Sequence, residues 1–288
     1  MSELFDIYLL EAVLNGLLLG GLFALLSLGL NLIFGVIDVV WICYAELIMC
    51  GMYAVYWLHV QYHWPVLAAM AAAIVLVAAL GAALHQFVIR PVLSAEPINQ
   101  LLVTGGVLFF LQAAATLAFG IDFRNVGISL PSVHVGEMSF SAARLLAFGA
   151  AAGGVAVMYF FLKRTYLGTA IRAISQDRAI MPLMGVSAGR IFLTTSALGG
   201  ALAGLAACLL VLQYDVHPAI GLSFGPITFL ICVLGGLGSL VGGFIAAFVL
   251  AQFISIGGFF FAAEWGYFIA FVFFIVVMFI RPQGILGK

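Results

Sequence analysis

Charge is what this sequence has least of. Only 7% of its 288 residues are Asp, Glu, Lys or Arg, while 66% are hydrophobic; a soluble domain carries roughly 25% charge. Ten basic and eleven acidic side chains nearly cancel, which leaves no electrostatic footprint for a nucleic acid. Cysteine is also sparse. Cys43, Cys50, Cys208 and Cys232 fall in apolar stretches with no C-x-x-C pair, and they read as small buried hydrophobes. His59, His63, His85, His134 and His217 are scattered at or near segment ends, so no metal site is expected. Paired acids, a Ser/His couple or a His/Cys ligand set at usable spacing are all missing, which argues against an intramembrane enzyme. The opening residues MSELFDIYLLEA carry three acids and lack the basic n-region of a cleavable signal, leaving this end free to be translocated.

What the sequence has instead is hydrocarbon in blocks of about twenty residues, enough to cross a ~30 Å bilayer core at ~1.5 Å per residue. The expected fold is all-α: a polytopic membrane protein of about eight or nine transmembrane helices, one of them short or broken, in a single domain over 1–288. The blocks lie near 7–34, up to 60, 66–89, 98–119, 142–162, 191–212, 222–233, up to 256, and 265–280. The third is expected to stop at Arg90-Pro91. The seventh is short and interrupted by Gly225-Pro226, so it reads as broken or half-crossing. Gly20, Ser27 and Asn31 keep one face of the first block small or polar, which suits close helix approach in lipid. A faint echo links residues 19–26 with 198–205, in helices expected to run in opposite directions.

Half of the ten basic residues stand in one stretch, 163–190: Lys163, Arg164, Arg172, Arg178 and Arg190. A charge at the bilayer centre costs at least ~2.5 kcal/mol, so this stretch lies in water, and its positive bias makes that water cytoplasmic. Arg90 and Arg281 mark the same side. The loops at 61–65, 119–141 and 213–221 then fall outside, with the N-terminus periplasmic and the C-terminus cytoplasmic. Within 163–190, a short helix starting at Gly168 puts Ile171, Ile174 and Met181 on one side and Arg172 and Gln176 on the other, with Asp177 and Arg178 between. Gly185 would end it with a left-handed cap, and Pro182 limits its extent. Such a helix either lies on the membrane surface or inserts into a groove on a cytoplasmic protein.

Residues 167–186, LGTAIRAISQDRAIMPLMGV, resemble the cytoplasmic coupling segment of the branched-chain amino acid type ABC importer permeases. Four further marks follow the same order: Leu30 to Gly35, Arg90-Pro91-Val92, the glycine-rich run Val233 to Gly243, and Arg281 to Gly287. The resemblance implies a bacterial inner-membrane permease subunit forming half of a pathway for a small organic solute: a branched-chain amino acid or a related amino acid, amide or carboxylate. It implies a second, related permease (the same chain or another), two cytoplasmic ATPases that hold the ATP and Mg, and a periplasmic solute-binding protein; this chain needs no cofactor of its own. Coupling to the ATPases would fall to Gly168, Ile171, Arg172, Ile174, Asp177, Arg178, Met181 and Gly185, with the three polar residues as contacts and the apolar three as anchor.

The departures from the family are concentrated in one place, which is expected to line the solute pathway. Where the family commonly reads Asn-Phe-Ala-His-Gly-Glu, this chain has Trp41-Ile42-Cys43-Tyr44-Ala45-Glu46, and Ile227 stands where some members carry Lys. Asn31, Trp41, Tyr44 and Glu46 are the expected pathway residues, and the solute need not be leucine-like. Asp38 reads as a helix-end residue near water. Glu46, an acid at membrane depth, has a functional reading beside a protonated or paired one. Gly235, Gly236, Gly238 and Gly242 either pack helices closely or expose backbone at a hinge. A stand-alone secondary transporter or channel, with Glu46 carrying a proton, is the alternative from another class.

Overall fold

The computed structural model describes residues 2–128, 131–135, 138–177 and 185–287. Its helices are α1 (Ser2–Ile37), α2 (Tyr44–Tyr56), α3 (Val66–Leu84), α4 (Arg90–Val92), α5 (Pro97–Phe119), α6 (Ala142–Arg164), α7 (Tyr166–Gln176), α8 (Ala188–Leu210), α9 (Ile220–Gly235), α10 (Leu240–Phe260) and α11 (Ala263–Ile280). Two π-helical turns extend α2 over Trp57–Gln61 and α3 over His85–Ile89. Among the described residues, six helices are long and apolar enough to cross a membrane, and α9 and α11 are shorter apolar ones. The fold is all-α and polytopic, with one small exception: strands β1 (Ser132–Val135) and β2 (Met138–Ser141) pair as an antiparallel hairpin in what reads from sequence as a plain loop.

Helix α1 is the central post. From Gly20 to Leu32 it is buried on every side, with α6, α8, α9 and α10 around it. Lipid tails are as apolar as leucine, so tight contact rather than hydrophobic burial holds such helices together. The glycines supply that contact. A methyl group built at Gly200 of α8 would lie 2.6 Å from the Val77 carbonyl oxygen of α3, and one at Gly81 would lie 2.7 Å from that of Ser196. Gly81 meeting Ser196 and Gly204 meeting Ile74 show the pair to be antiparallel. Helices α1 and α8 run antiparallel in the same way, Ile33 lying on Gly199 and Gly29 near Leu202.

Two expectations need correction, and a third falls to one of its two alternatives, the short helix rather than the broken one. Helix continues through Arg90-Pro91 to Val92 because the preceding turn is π-helical. The Arg90 N–H reaches back to the His85 carbonyl, and this wider turn spares the proline ring the clash that an α-helical turn would impose. The seventh segment is not broken: α9 runs unbroken through Gly225-Pro226. At 16 residues it is only about 24 Å long, short of a full crossing. Helix α7 begins at Tyr166 and ends at Gln176, where Asp177 turns extended (φ −150°, ψ 109°). Gly185, at φ 77°, therefore leads into α8 and does not close α7.

Candidate functional site

The chain leaves α1 at Asp38, which takes a left-handed φ of 60°, and runs without regular helix to Cys43. Non-helical backbone at membrane depth is tolerated only where protein or a lined cavity satisfies it. Here the Val40 carbonyl accepts a 3.0 Å hydrogen bond from Thr104 of α5. Beside this break lies a cavity of about 330 Å³, walled by Trp41, Tyr44 and Ala45, by Leu101 and Leu108 of α5, and by the first turns of α9. Two of the four expected pathway residues, Trp41 and Tyr44, line it directly. The Tyr44 hydroxyl donates to the Gly199 carbonyl at 3.5 Å, tying the break to α8.

Glu46 stands just behind the wall. It is fully buried, and a methyl group at cavity-lining Gly221 would come within 2.5 Å of its Oε1. Neither carboxyl oxygen has a hydrogen-bond partner among the described residues, and neither does the buried Trp41 Nε1. Asn31 is placed elsewhere. Its Oδ1 accepts from the Gly238 N–H at 3.2 Å and its amide lies against Gly243, so it fastens α1 to the turn between α9 and α10. Its neighbour Leu30 faces the cavity instead. Ile227 is buried, while Pro226 and Thr228 on either side line the cavity. The α9 wall went unread in the sequence, although the Gly225-Pro226 interruption pointed at it: Pro226 has no N–H to give the Leu222 carbonyl.

Helix α7 sits at the far end of α6. Thr165 caps it, accepting from the Gly168 N–H at 3.0 Å. Gly168 is pressed so tightly on α6 that a methyl group there would lie 2.5 Å from the Leu162 Cα. Ile171 and Ile174 are 2% and 0% exposed, inside the chain's own core. That corrects their assignment as an anchor for a partner: their side chains hold α7 to the bundle. The outward face carries Tyr166, Leu167, Thr169, Arg172 and Gln176, with Asp177 exposed just beyond. Arg172 and Lys163 border a hollow of about 570 Å³ between α1, α6 and the start of α10. Arg178 and Met181 lie outside the described residues.

The glycine run forms a backbone junction. Gly235 and Gly242 touch main chain to main chain, and a methyl group at Gly35 would be 3.0 Å from the Gly238 Cα. Ser239 caps α10 through the Gly242 N–H at 3.1 Å. Gly236 and Gly238 take φ of 94° and 81°, which suits only glycine. Against this junction lies the segment after α11, where Ile285 N–H donates to the Leu234 carbonyl at 2.7 Å and Leu286 N–H to that of Gly235 at 3.3 Å.

Residues 12–278 match the family described as the permease component of branched-chain amino acid transport systems. The chain belongs to that family. It is a membrane permease, a transport subunit. The high-affinity branched-chain amino acid transport system permease protein BraD of Pseudomonas aeruginosa is 30% identical over 303 aligned positions, covering 100% of this chain and 98% of the relative. LivH of Escherichia coli, described in the same words, is 28% identical over 307 positions with the same coverage. Among solved structures, PsaBC from Streptococcus pneumoniae in complex with Fab matches at a TM-score of 0.56 and 13% identity, over 98% of this permease and 97% of that chain. That likeness speaks to the fold.

Proposed function

We propose that this permease forms half of the translocation pathway of an ATP-driven importer. The solute would be a branched-chain amino acid or a related small amino acid, amide or carboxylate, delivered by a periplasmic binding protein. A second permease would complete the pathway, and two cytoplasmic ATPases would drive it through the outward face of α7, with Arg172 and Asp177 as polar contacts and Arg178 and Met181 beyond them. In this reading the Lys/Arg-rich end that includes α7 and Arg281 faces the cytoplasm, and Trp41, Tyr44 and Glu46 serve the pathway. The full-length family match carries the reading. The apolar cavity at the break between α1 and α2 supports the solute class.

The deciding experiment is reconstitution in proteoliposomes with the cognate ATPases, partner permease and binding protein. ATP-dependent uptake of a labelled amino acid is expected, with none from the permease alone. The unpartnered carboxyl of Glu46 favours a second reading, a proton-coupled transporter that works by itself. Solute uptake by this chain alone, without ATP and abolished by Glu46→Gln, would decide for it.

A further inference from the structure

At the end of the bundle remote from α7, two hollows lie side by side. The first, about 200 Å³, sits between the middle of α1, the start of α6 and the end of α10, and holds Asn15, Arg144, Gln213 and Ser255. The second, about 360 Å³, holds Phe123, Asp215, His217 and Phe224. Tyr214 and Tyr267 line both. A cation therefore stands on one side of a shared pair of tyrosines and a carboxylate on the other.

The charged groups are held from behind. Arg144 spends one of its five donors on Asn15 Oδ1 at 3.1 Å. Asp215 accepts from Asn125 at 2.7 Å through Oδ1. Paired backbone bonds of 2.9 and 2.8 Å between Arg124 and Val216 pin the Asp215 loop. The carboxylate side is walled with rings: Tyr214 stands edge-on to Phe224 at 5.2 Å, and His217 leans on Phe123 at 4.5 Å. Both charges are felt inside the hollows. Burial pushes the Tyr214 phenol up while Arg144 opposes it, and burial holds His217 below its usual range while Asp215 opposes that.

The place in the fold matters as much as the chemistry. The first two turns of α9 wall this outer hollow with Ile220, Ser223 and Phe224, and the inner cavity with Gly221, Leu222 and Gly225. The outer hollow and the cavity lined by Trp41 and Tyr44 thus lie on opposite faces of the same two turns of α9.

We propose that the two hollows together form an outer docking site for a zwitterionic amino-acid solute, its carboxylate on Arg144 and its ammonium on Asp215 against the aromatic faces. This rests on the import reading above, which places this end in the periplasm. An ammonium over aromatic rings gains cation–π attraction, and a carboxylate gains charge-assisted bonds from a guanidinium. A solute with only one charge leaves the opposite wall unpaired or repelled, and an uncharged one desolvates both.

The test uses the full chain in lipid nanodiscs and three probes of one shape: leucine, isopentylamine and 4-methylpentanoate. Leucine is expected to bind at least about tenfold more tightly than either half-molecule, the loss from one missing charge-assisted bond. Asp215→Asn should weaken leucine and the amine but not the carboxylate; Arg144→Gln should weaken leucine and the carboxylate but not the amine. Glu264→Gln, an exposed charge at the same end outside both hollows, should change nothing, and unchanged thermal unfolding shows that the variants fold. Equal binding of the three probes, no leucine binding up to about 10 mM, or loss without this split between the variants overturns the proposal. In the assembled importer, ATP-driven leucine uptake with KM untouched by both variants sinks the docking site alone; no ATP-driven uptake of any solute sinks the import reading.

Discussion

Gly221 faces the carboxyl of Glu46 across a gap that only hydrogen fills: a methyl group in its place would lie 2.5 Å from Oε1 and 2.7 Å from Cδ. The absent side chain is what lets a fully buried acid stand at the wall of the inner cavity.

Gly221→Ala is accordingly expected to destabilise the permease by about 1–3 kcal/mol through overpacking. Shortening the opposing residue should relieve it, so Glu46→Ala combined with Gly221→Ala should cost less than the two single changes summed. Thermal unfolding of the four proteins in detergent measures the cycle, and strict additivity would refute the contact.

Helix α7 separates its inner and outer faces cleanly. Ile174→Ala should lower the permease's own stability by about 2–4 kcal/mol, as expected for a truncated core side chain. Arg172→Glu should leave stability within about 0.5 kcal/mol and reduce co-purification with the cognate ATPase. Both effects are read from one preparation, by unfolding and by pull-down. An Arg172→Glu variant that holds its ATPase as well as the parent would remove this face from the coupling surface.

Glycines in this chain differ in what they touch. Gly200→Ala drives a methyl group to 2.6 Å from the Val77 carbonyl, whereas nothing lies within 4 Å of a methyl group at Gly105. The first substitution should loosen the α3–α8 pair and lower the melting temperature by several degrees. The second should be neutral or raise stability by up to about 1 kcal/mol, since alanine is the better helix former.

His217 gives a pH signature. Its imidazole is held below the ordinary value of 6.5, chiefly by burial, so the folded state favours the neutral ring. A depressed folded value means that the contribution is present above about 6.5 and is lost as pH falls through the lower folded value, where the unfolded chain binds the proton more readily. The melting temperature of the parent should therefore drop relative to His217→Gln on acidification from about pH 7.5 to 5. Parallel curves would refute the shift.

Local patterns were legible in the sequence and long-range ones were not. Blocks of hydrocarbon gave the helices, because hydropathy integrates over a single segment. The two faces of α7 were readable from the 3.6-residue spacing of Ile171, Ile174 and Arg172, since neighbours on a helix are neighbours in sequence. Trp41 and Tyr44 were legible through the family resemblance, as the stretch that departs from its motif, and both line the cavity. Asn31 does not, because its amide is claimed by Gly238, some two hundred residues away, a contact that no local spacing encodes. Gly221 was equally silent: the sequence shows a missing side chain but not the carboxylate that occupies its space. The wide turn before Pro91 escaped notice because proline is read as a stop, and only backbone geometry tells whether the previous turn makes room for it.

The pairing of Ile285 and Leu286 with Leu234 and Gly235 has a consequence for how the chain enters the bilayer. The last carbonyls of any helix need donors from outside it, and for the final two of α9, those of Leu234 and Gly235, they come from a segment that follows two later helices. During synthesis α9 must wait at the membrane with those oxygens exposed until α10 and α11 have both been threaded. The bonds from Ile285 and Leu286 are therefore the last part of the glycine junction to form, after the contacts that α1, α9 and α10 make among themselves.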